Sequence, residues 1–133
     1  MLKDIDFKRV TDMAMAIVPE KMEDGIIWNT FLINMGENTM QSVLVNVRGY
    51  GEIENKTIKT SQMRYFFDEV APKSFVKVED LMEDLLPLNN EYWVSFSRNN
   101  YLFDKKYVFV PETITLENLV HVPVMNKEGV LII

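Results

Sequence analysis

EYWVSFSRNNYLFDKKYVFV, Glu91–Val110, is the stretch on which the reading of the fold turns. EYWVSFS is dense in aromatic and β-favouring residues and reads as a strong strand. Arg98-Asn99-Asn100 follows as a tight turn, because asparagine tolerates the left-handed backbone that a short connection requires. Tyr101–Val110 then returns antiparallel. Asp104-Lys105-Lys106 interrupts this second strand with charge. Charges inside an otherwise apolar strand guard a sheet edge against pairing with another chain; the alternative is a salt-bridged contact with a partner.

Working outward, β-like runs recur at short spacing between turn residues, the pattern of a sandwich or barrel. Val10–Val18 puts Met13, Met15 and Ile17 on one face, and Pro19 is expected to end it. Ile26–Ile33 is apolar on both faces apart from Asn29 and Thr30, which suits a central strand. Ser42–Arg48 alternates, with Val43, Val45 and Val47 facing one way. Glu52–Lys59 fits a short hairpin with its tip at Glu54-Asn55-Lys56. Gln62–Phe67 reads equally as strand or helix. Phe75–Glu79 is a half-buried strand, and Leu119–Met125 and the final VLII complete the set. VLII has no polar end and must pair in a sheet, its own or that of a second copy, so a homodimer is one expectation. Glu79–Leu86 has Leu81, Met82, Leu85 and Leu86 at helical spacing, early acids and a stop at Pro87, which predicts one short helix crossing between sheets. The expected fold is a single all-β domain over residues 1–133: an immunoglobulin-like antiparallel β-sandwich of about eight to ten strands with that one crossover helix.

The composition narrows the function. The chain has 133 residues and 47% hydrophobic content, enough for one core without disulfides or metal. It contains no cysteine, which leans toward a reducing compartment. The start, MLKDIDFKRV, is charged and carries no apolar run, so neither a signal peptide nor a membrane anchor is expected there, and the chain reads as cytoplasmic. The net charge is -6 and the basic residues are scattered, with Lys8-Arg9 and Lys105-Lys106 the only adjacent pairs. Nucleic-acid binding needs concentrated cations to displace counterions, so no nucleic acid and no membrane is expected as a partner. His121 is the only histidine, so no histidine-rich metal site can form, and without cysteine no structural zinc site is expected. No G-x-S-x-G elbow or calcium loop is present. The chain therefore reads as a non-enzymatic interaction or accessory module without cofactor or metal; the competing readings are a small-molecule binder or enzyme with an unrecognised site, or a structural homo-oligomer.

LLPLNNEYWVSFS, Leu85–Ser97, resembles the corner of immunoglobulin-like and fibronectin type III sandwiches, in which a tyrosine locks the crossover between sheets through its hydroxyl and upstream backbone. That resemblance implies that Tyr92 is the corner tyrosine, that Leu88 packs under it, and that Trp28 or Trp93 is the tryptophan between the sheets. The stretches RGYGEI, YWVSF, FDKKYVFVPETI and NKEGVLI resemble a family of small bacterial proteins, some labelled phenylalanyl-tRNA synthetase alpha subunit. The residues do not carry that activity: 133 positions cannot hold a class II synthetase sheet and a tRNA-binding region, and the acidic balance opposes tRNA.

VRGYG, Val47–Gly51, holds two of the five glycines. A phosphate loop would need these glycines to open a helix. Here they follow a β-run, so Gly49 and Gly51, on one face, imply a bulge or the close approach of other backbone. The sharper alternative is a shallow site where Arg48 and Tyr50 grip a partner. Arg98 and Tyr101, beside the turn of the opening hairpin, complete the candidate binding residues.

Overall fold

The computed structural model describes residues 10–133; the charged start and the Lys8-Arg9 pair lie outside the described residues. Ten strands build two antiparallel sheets. They are β1 (Met13–Met22), β2 (Gly25–Asn34), β3 (Met40–Ile53), β4 (Lys56–Lys59), β5 (Met63–Val70), β6 (Ser74–Leu81), β7 (Asn89–Arg98), β8 (Tyr101–Phe109), β9 (Val120–Val122) and β10 (Lys127–Ile132). The first sheet has the order β6-β2-β1-β10-β9; the second has β4-β3-β7-β8, with β5 also paired to β3. The chain is thus an all-β antiparallel sandwich, as expected.

The opening hairpin forms with Arg98 opposite Tyr101, and Asn99 and Asn100 take φ of 54° and 67°. β8 ends the row of the second sheet, so Asp104-Lys105-Lys106 does lie on an edge strand. Glu54 and Asn55 also take positive φ at the β3–β4 turn. The ambiguous segment is the strand β5. The VLII tail pairs within its own chain, with Met15 opposite Ile132 and Ile17 opposite Val130, so its hydrophobicity is no argument for a second copy.

Two expectations are corrected. Pro19 does not end the first strand: β1 continues to Met22, with Pro19 opposite Trp28. Its other neighbour, β10, is paired only to Met15–Ile17. At Pro19 one side of β1 is therefore an edge, where a residue without an N–H is tolerated. The crossover helix is also absent. Glu79, Asp80 and Leu81 are the last residues of β6, opposite Thr30, Asn29 and Trp28. What crosses between the sheets is a single 3-10 turn, Glu83–Leu85, whose leading residue Met82 supplies no side-chain cap. An uncapped helix of two turns is marginal in isolation. Pairing with β2 instead satisfies the backbone and buries Val78 and Leu81.

The core fills the space between the sheets. Met13, Met15, Ile17, Trp28 and Leu32 from the first sheet meet Val43, Val45, Tyr92, Val94 and Phe96 from the second. Tyr107 crosses this core to donate to the Met13 carbonyl at 3.1 Å. A second, smaller cluster covers the outer face of the first sheet, where Ala14, Ala16, Val18 and Ile33 pack with Val122 and Met125. β10 runs beside β1 as its antiparallel neighbour and approaches it closely at Gly129. A Cβ on Gly129 would sit 3.0 Å from the Ile17 carbonyl oxygen and 3.0 Å from Val18 Cγ2. Gly129→Ala is therefore expected to cost about 1–3 kcal/mol through overpacking against fixed backbone, read as a lower urea midpoint at unchanged slope.

Candidate functional site on the second sheet

Side chains alternate along strands, so burial of one set exposes the other. Tyr65 and Phe67 of β5, Val45 and Val47 of β3, Tyr92 and Val94 of β7, and Tyr107 of β8 all join the core. Their neighbours therefore form the outer face. The register sets Arg64 opposite Asn46, Asn46 opposite Trp93, and Trp93 opposite Lys106, one row across four strands. The adjoining row sets Arg48 opposite Glu91.

Glu91 is the electrostatic centre of this face. It is only 3% exposed although it points away from the core. Arg48 grips it with two bonds, Nε to Oε2 at 2.8 Å and Nη2 to Oε1 at 3.3 Å. The Tyr50 hydroxyl donates to Oε1 at 3.5 Å, and Lys106 Nζ lies 3.9 Å away. The Arg48 guanidinium also sits 5.2 Å over the Tyr50 ring. Its hydrogen bond to Glu91, and then the charge of that carboxylate, hold it protonated more firmly than a free arginine. A buried carboxylate needs such partners. Arg48 and Tyr50 are thus brought together as VRGYG suggested, and what they grip within the chain is Glu91.

The parts of the face left for a partner lie beside this cluster. Arg64 Nε donates to the neutral Asn46 Oδ1 at 3.1 Å, and no described carboxylate pairs with Arg64. Trp93 is 41% exposed; its Nε1 donates to Asp104 at 3.2 Å and Lys106 lies 4.8 Å over its ring. A depression of about 260 Å³ runs between them, lined by Asn46, Arg48, Gln62, Arg64, Glu91 and Trp93. Phe66, 60% exposed, and Leu102 add apolar surface on the same side. The sequence reading missed Arg64 and Phe66, because β5 could not be told from a helix and no face could be assigned to it.

The other candidate residues have different places. Arg98 donates to Asp12 at 2.9 Å and lies over the rings of Phe96 and Phe103, tying the β7–β8 hairpin to the chain before β1. Seven positions along β7 separate its end from Glu91, about 23 Å at the usual rise, so Arg98 and the exposed Tyr101 are not brought to the Arg48 cluster. Trp28, not Trp93, is the tryptophan between the sheets. Leu88 is buried, and it lies against both glycines: a Cβ on Gly49 or Gly51 would be 3.5 Å from one of its methyls. Register runs unbroken through both glycines; the irregularity in β3 lies instead between Gln41 and Leu44. VRGYG therefore marks close approach rather than a bulge. It lies where β3 exchanges its neighbour β5 for β4, and Thr60 bridges the exchange by accepting from Gly49 N at 2.7 Å. Gly51 has φ of +153°, so Gly51→Ala is expected to cost about 1–3 kcal/mol of strain, measurable by chemical denaturation, while leaving the Arg48–Glu91 pair formed.

Tyr92 sits at the crossover, but its hydroxyl donates to the Glu79 side chain, Oε2 at 3.0 Å, rather than to upstream backbone. Tyr65 donates to the other oxygen at 2.8 Å. Glu79 is itself fixed by Thr30, whose hydroxyl bonds both its N–H and its carbonyl at 3.1 Å. β5 and β6 are thereby joined along an open side of the sandwich.

His121 is exposed. Among the described residues no three His, Asp or Glu side chains gather as a metal site would need, and no helix is long and apolar enough to cross a membrane. The sequence matches no protein-family model, and neither a curated protein nor a solved structure is significantly similar to it.

Proposed function

We propose that this domain is a non-enzymatic protein-interaction module that engages its partner through the outer face of the second sheet. The observation that carries this reading is the row Arg64–Asn46–Trp93–Lys106, in which an exposed tryptophan lies beside an arginine with no carboxylate partner among the described residues. Tryptophan and arginine dominate the energy of protein interfaces because each combines large contact area with directional donors. Around the depression stand three cations, Arg48, Arg64 and Lys106, on a chain of net charge -6, and the two acids beside them, Glu91 and Asp104, are bonded to Arg48 and Trp93. It is complementary to a segment that presents a carboxylate next to apolar side chains.

The strand order supports an immunoglobulin-like classification. β1-β2-β6 correspond to strands A-B-E and β3-β7-β8 to C-F-G of that sandwich, with β4 and β5 beside β3 and the β9–β10 hairpin added at β1. This architecture hosts many binding functions and assigns none. A cytoplasmic location fits the absence of cysteine.

Affinity capture from the native source, at low and high salt, tests the reading. The wild-type domain is expected to retain a stoichiometric partner, weakened by salt, and Arg64→Glu/Trp93→Ala to lose it while keeping its fold. Equal retention by the double variant would refute it.

A further inference from the structure

The second sheet has two open sides of different character. β8 forms one and carries Asp104-Lys105-Lys106. On the other side β3 meets the four-residue β4 and the eight-residue β5 in turn. Among the described residues β5 pairs with β3 alone, and its other edge has no backbone partner. Native proteins blunt such an edge by shortness, proline, a bulge or inserted charge. β5 has no proline and an unshifted register with β3, and Met63 and Phe66 on it are 50% and 60% exposed. We infer that β5 pairs antiparallel with β5 of a second copy, centred on Phe66, so that the two second sheets join into one. The inference goes beyond the proposed function and does not rest on it.

The sequence of β5 is self-complementary in that register. Arg64, Phe66 and Asp68 are exposed and alternate with the core residues Tyr65 and Phe67. Reversing the strand about Phe66 sets Arg64 opposite the partner's Asp68, Phe66 opposite the partner's Phe66, and Asp68 opposite the partner's Arg64. Opposite charges and paired aromatic rings directly across a ladder each stabilise it. Neither Arg64 nor Asp68 has an ion-pair partner among the described residues. Sliding the strand by two residues sets Phe66 against Arg64 or Asp68, and sliding it by four sets like charges opposite each other. The side chains thus select one register.

The pairing is isologous: each copy uses the same strand once, so assembly stops at the dimer. It extends the sheet sideways. Trp93 lies on β7, behind β3 as seen from the junction, and stays uncovered. The dimer therefore presents the Trp93 face twice, a bivalent arrangement for the partner proposed above. Arg64 borders both surfaces, so the dimer is measured on the purified domain, where no other partner competes.

Sedimentation equilibrium of the purified full chain over a concentration series is the test. The wild type is expected to rise to twice the chain mass. Arg64→Asp sets carboxylate against carboxylate at both contacts, and Asp68→Arg sets guanidinium against guanidinium. Each variant alone is expected to weaken dimerisation roughly tenfold or more, because the two-fold symmetry applies the change twice. An equal mixture of the two variants restores both ion pairs with opposite polarity, and a heterodimer of near wild-type affinity is expected. Both positions are exposed, so each variant should keep its fold, checked by circular dichroism. A wild type that stays monomeric, single variants that dimerise like the wild type, or a mixture that associates no better than its components would overturn the inference. A monomer that still captures another protein from lysate would overturn the dimer while leaving the proposed function standing.

Discussion

Trp28→Ala is expected to remove about 3–5 kcal/mol of folding stability, whereas Trp93→Ala removes about 1 kcal/mol or less. The two tryptophans have the same side chain in opposite environments. Trp28 is 5% exposed and belongs to the cluster that joins the sheets. Truncating it leaves a cavity between Leu81 and its neighbours that a β-sandwich can close only in part. Trp93 stands on the outer face beside Lys106 and Asp104, and its truncation mainly exposes polar groups that water can serve. Thermal unfolding of the two variants checks the contrast: a midpoint lowered by more than about 10 °C for Trp28→Ala, and a near wild-type midpoint for Trp93→Ala. Comparable losses would mean that Trp93 is a structural residue and would remove the centre of the interaction face.

The second large effect concerns the Tyr65–Glu79–Tyr92 cluster. Glu79→Ala is expected to cost about 1–3 kcal/mol, because the fully buried Tyr92 loses the acceptor of its hydroxyl. The same cluster governs behaviour in alkali. Burial, and then the hydrogen bond and charge of Glu79, push Tyr65 up to about 12; burial first, and Glu79 next, also push Tyr92 well above its ordinary 10. In the unfolded chain both return to about 10. Between these values the folded state holds protons that the unfolded state has released, so stability falls as pH rises. The contribution is complete below pH 10 and is lost on the way through about 12. A denaturation series from pH 8 to 12 should show this decline, steep in the wild type and shallower in Glu79→Ala, in which burial alone still raises the tyrosines. A wild-type stability that is flat to pH 12 would contradict the ionisation order.

Much of this architecture was legible in the residues. The Glu91–Val110 hairpin, the alternation of Val43, Val45 and Val47, and the paired asparagines at the turn each express a purely local rule, and each element formed where it was read. The misreadings arose where tertiary pairing outweighed local preference. Leu81 and Met82 fit a helix by spacing, but β2 offered Glu79–Leu81 a full set of backbone partners. Pro19 lies in a strand because β10 leaves one side of β1 unpaired there. The candidate site was half legible. Arg48 and Tyr50 were found from their neighbouring glycines, yet their main contact, Glu91, is 43 positions away in sequence, and no local pattern links the two. Arg64 became visible only once β5 was known to be a strand lying against β3. Tyr92 was expected to bond upstream backbone, and its acceptor is instead the Glu79 side chain, which no backbone rule could name.

The claim that the outer face of the second sheet binds a protein is tested most directly by placing a photo-crosslinking group on each face. Phe66→p-benzoylphenylalanine puts the probe beside the Arg64–Trp93 row, and Phe75→p-benzoylphenylalanine puts it on the first sheet, where Phe75 is also exposed. Irradiation in the native lysate should give a discrete adduct from position 66 that is absent from position 75 and lost when Arg64→Glu is added. Adducts of equal yield from both positions, or an adduct at 66 indifferent to Arg64, would contradict the assignment of this face.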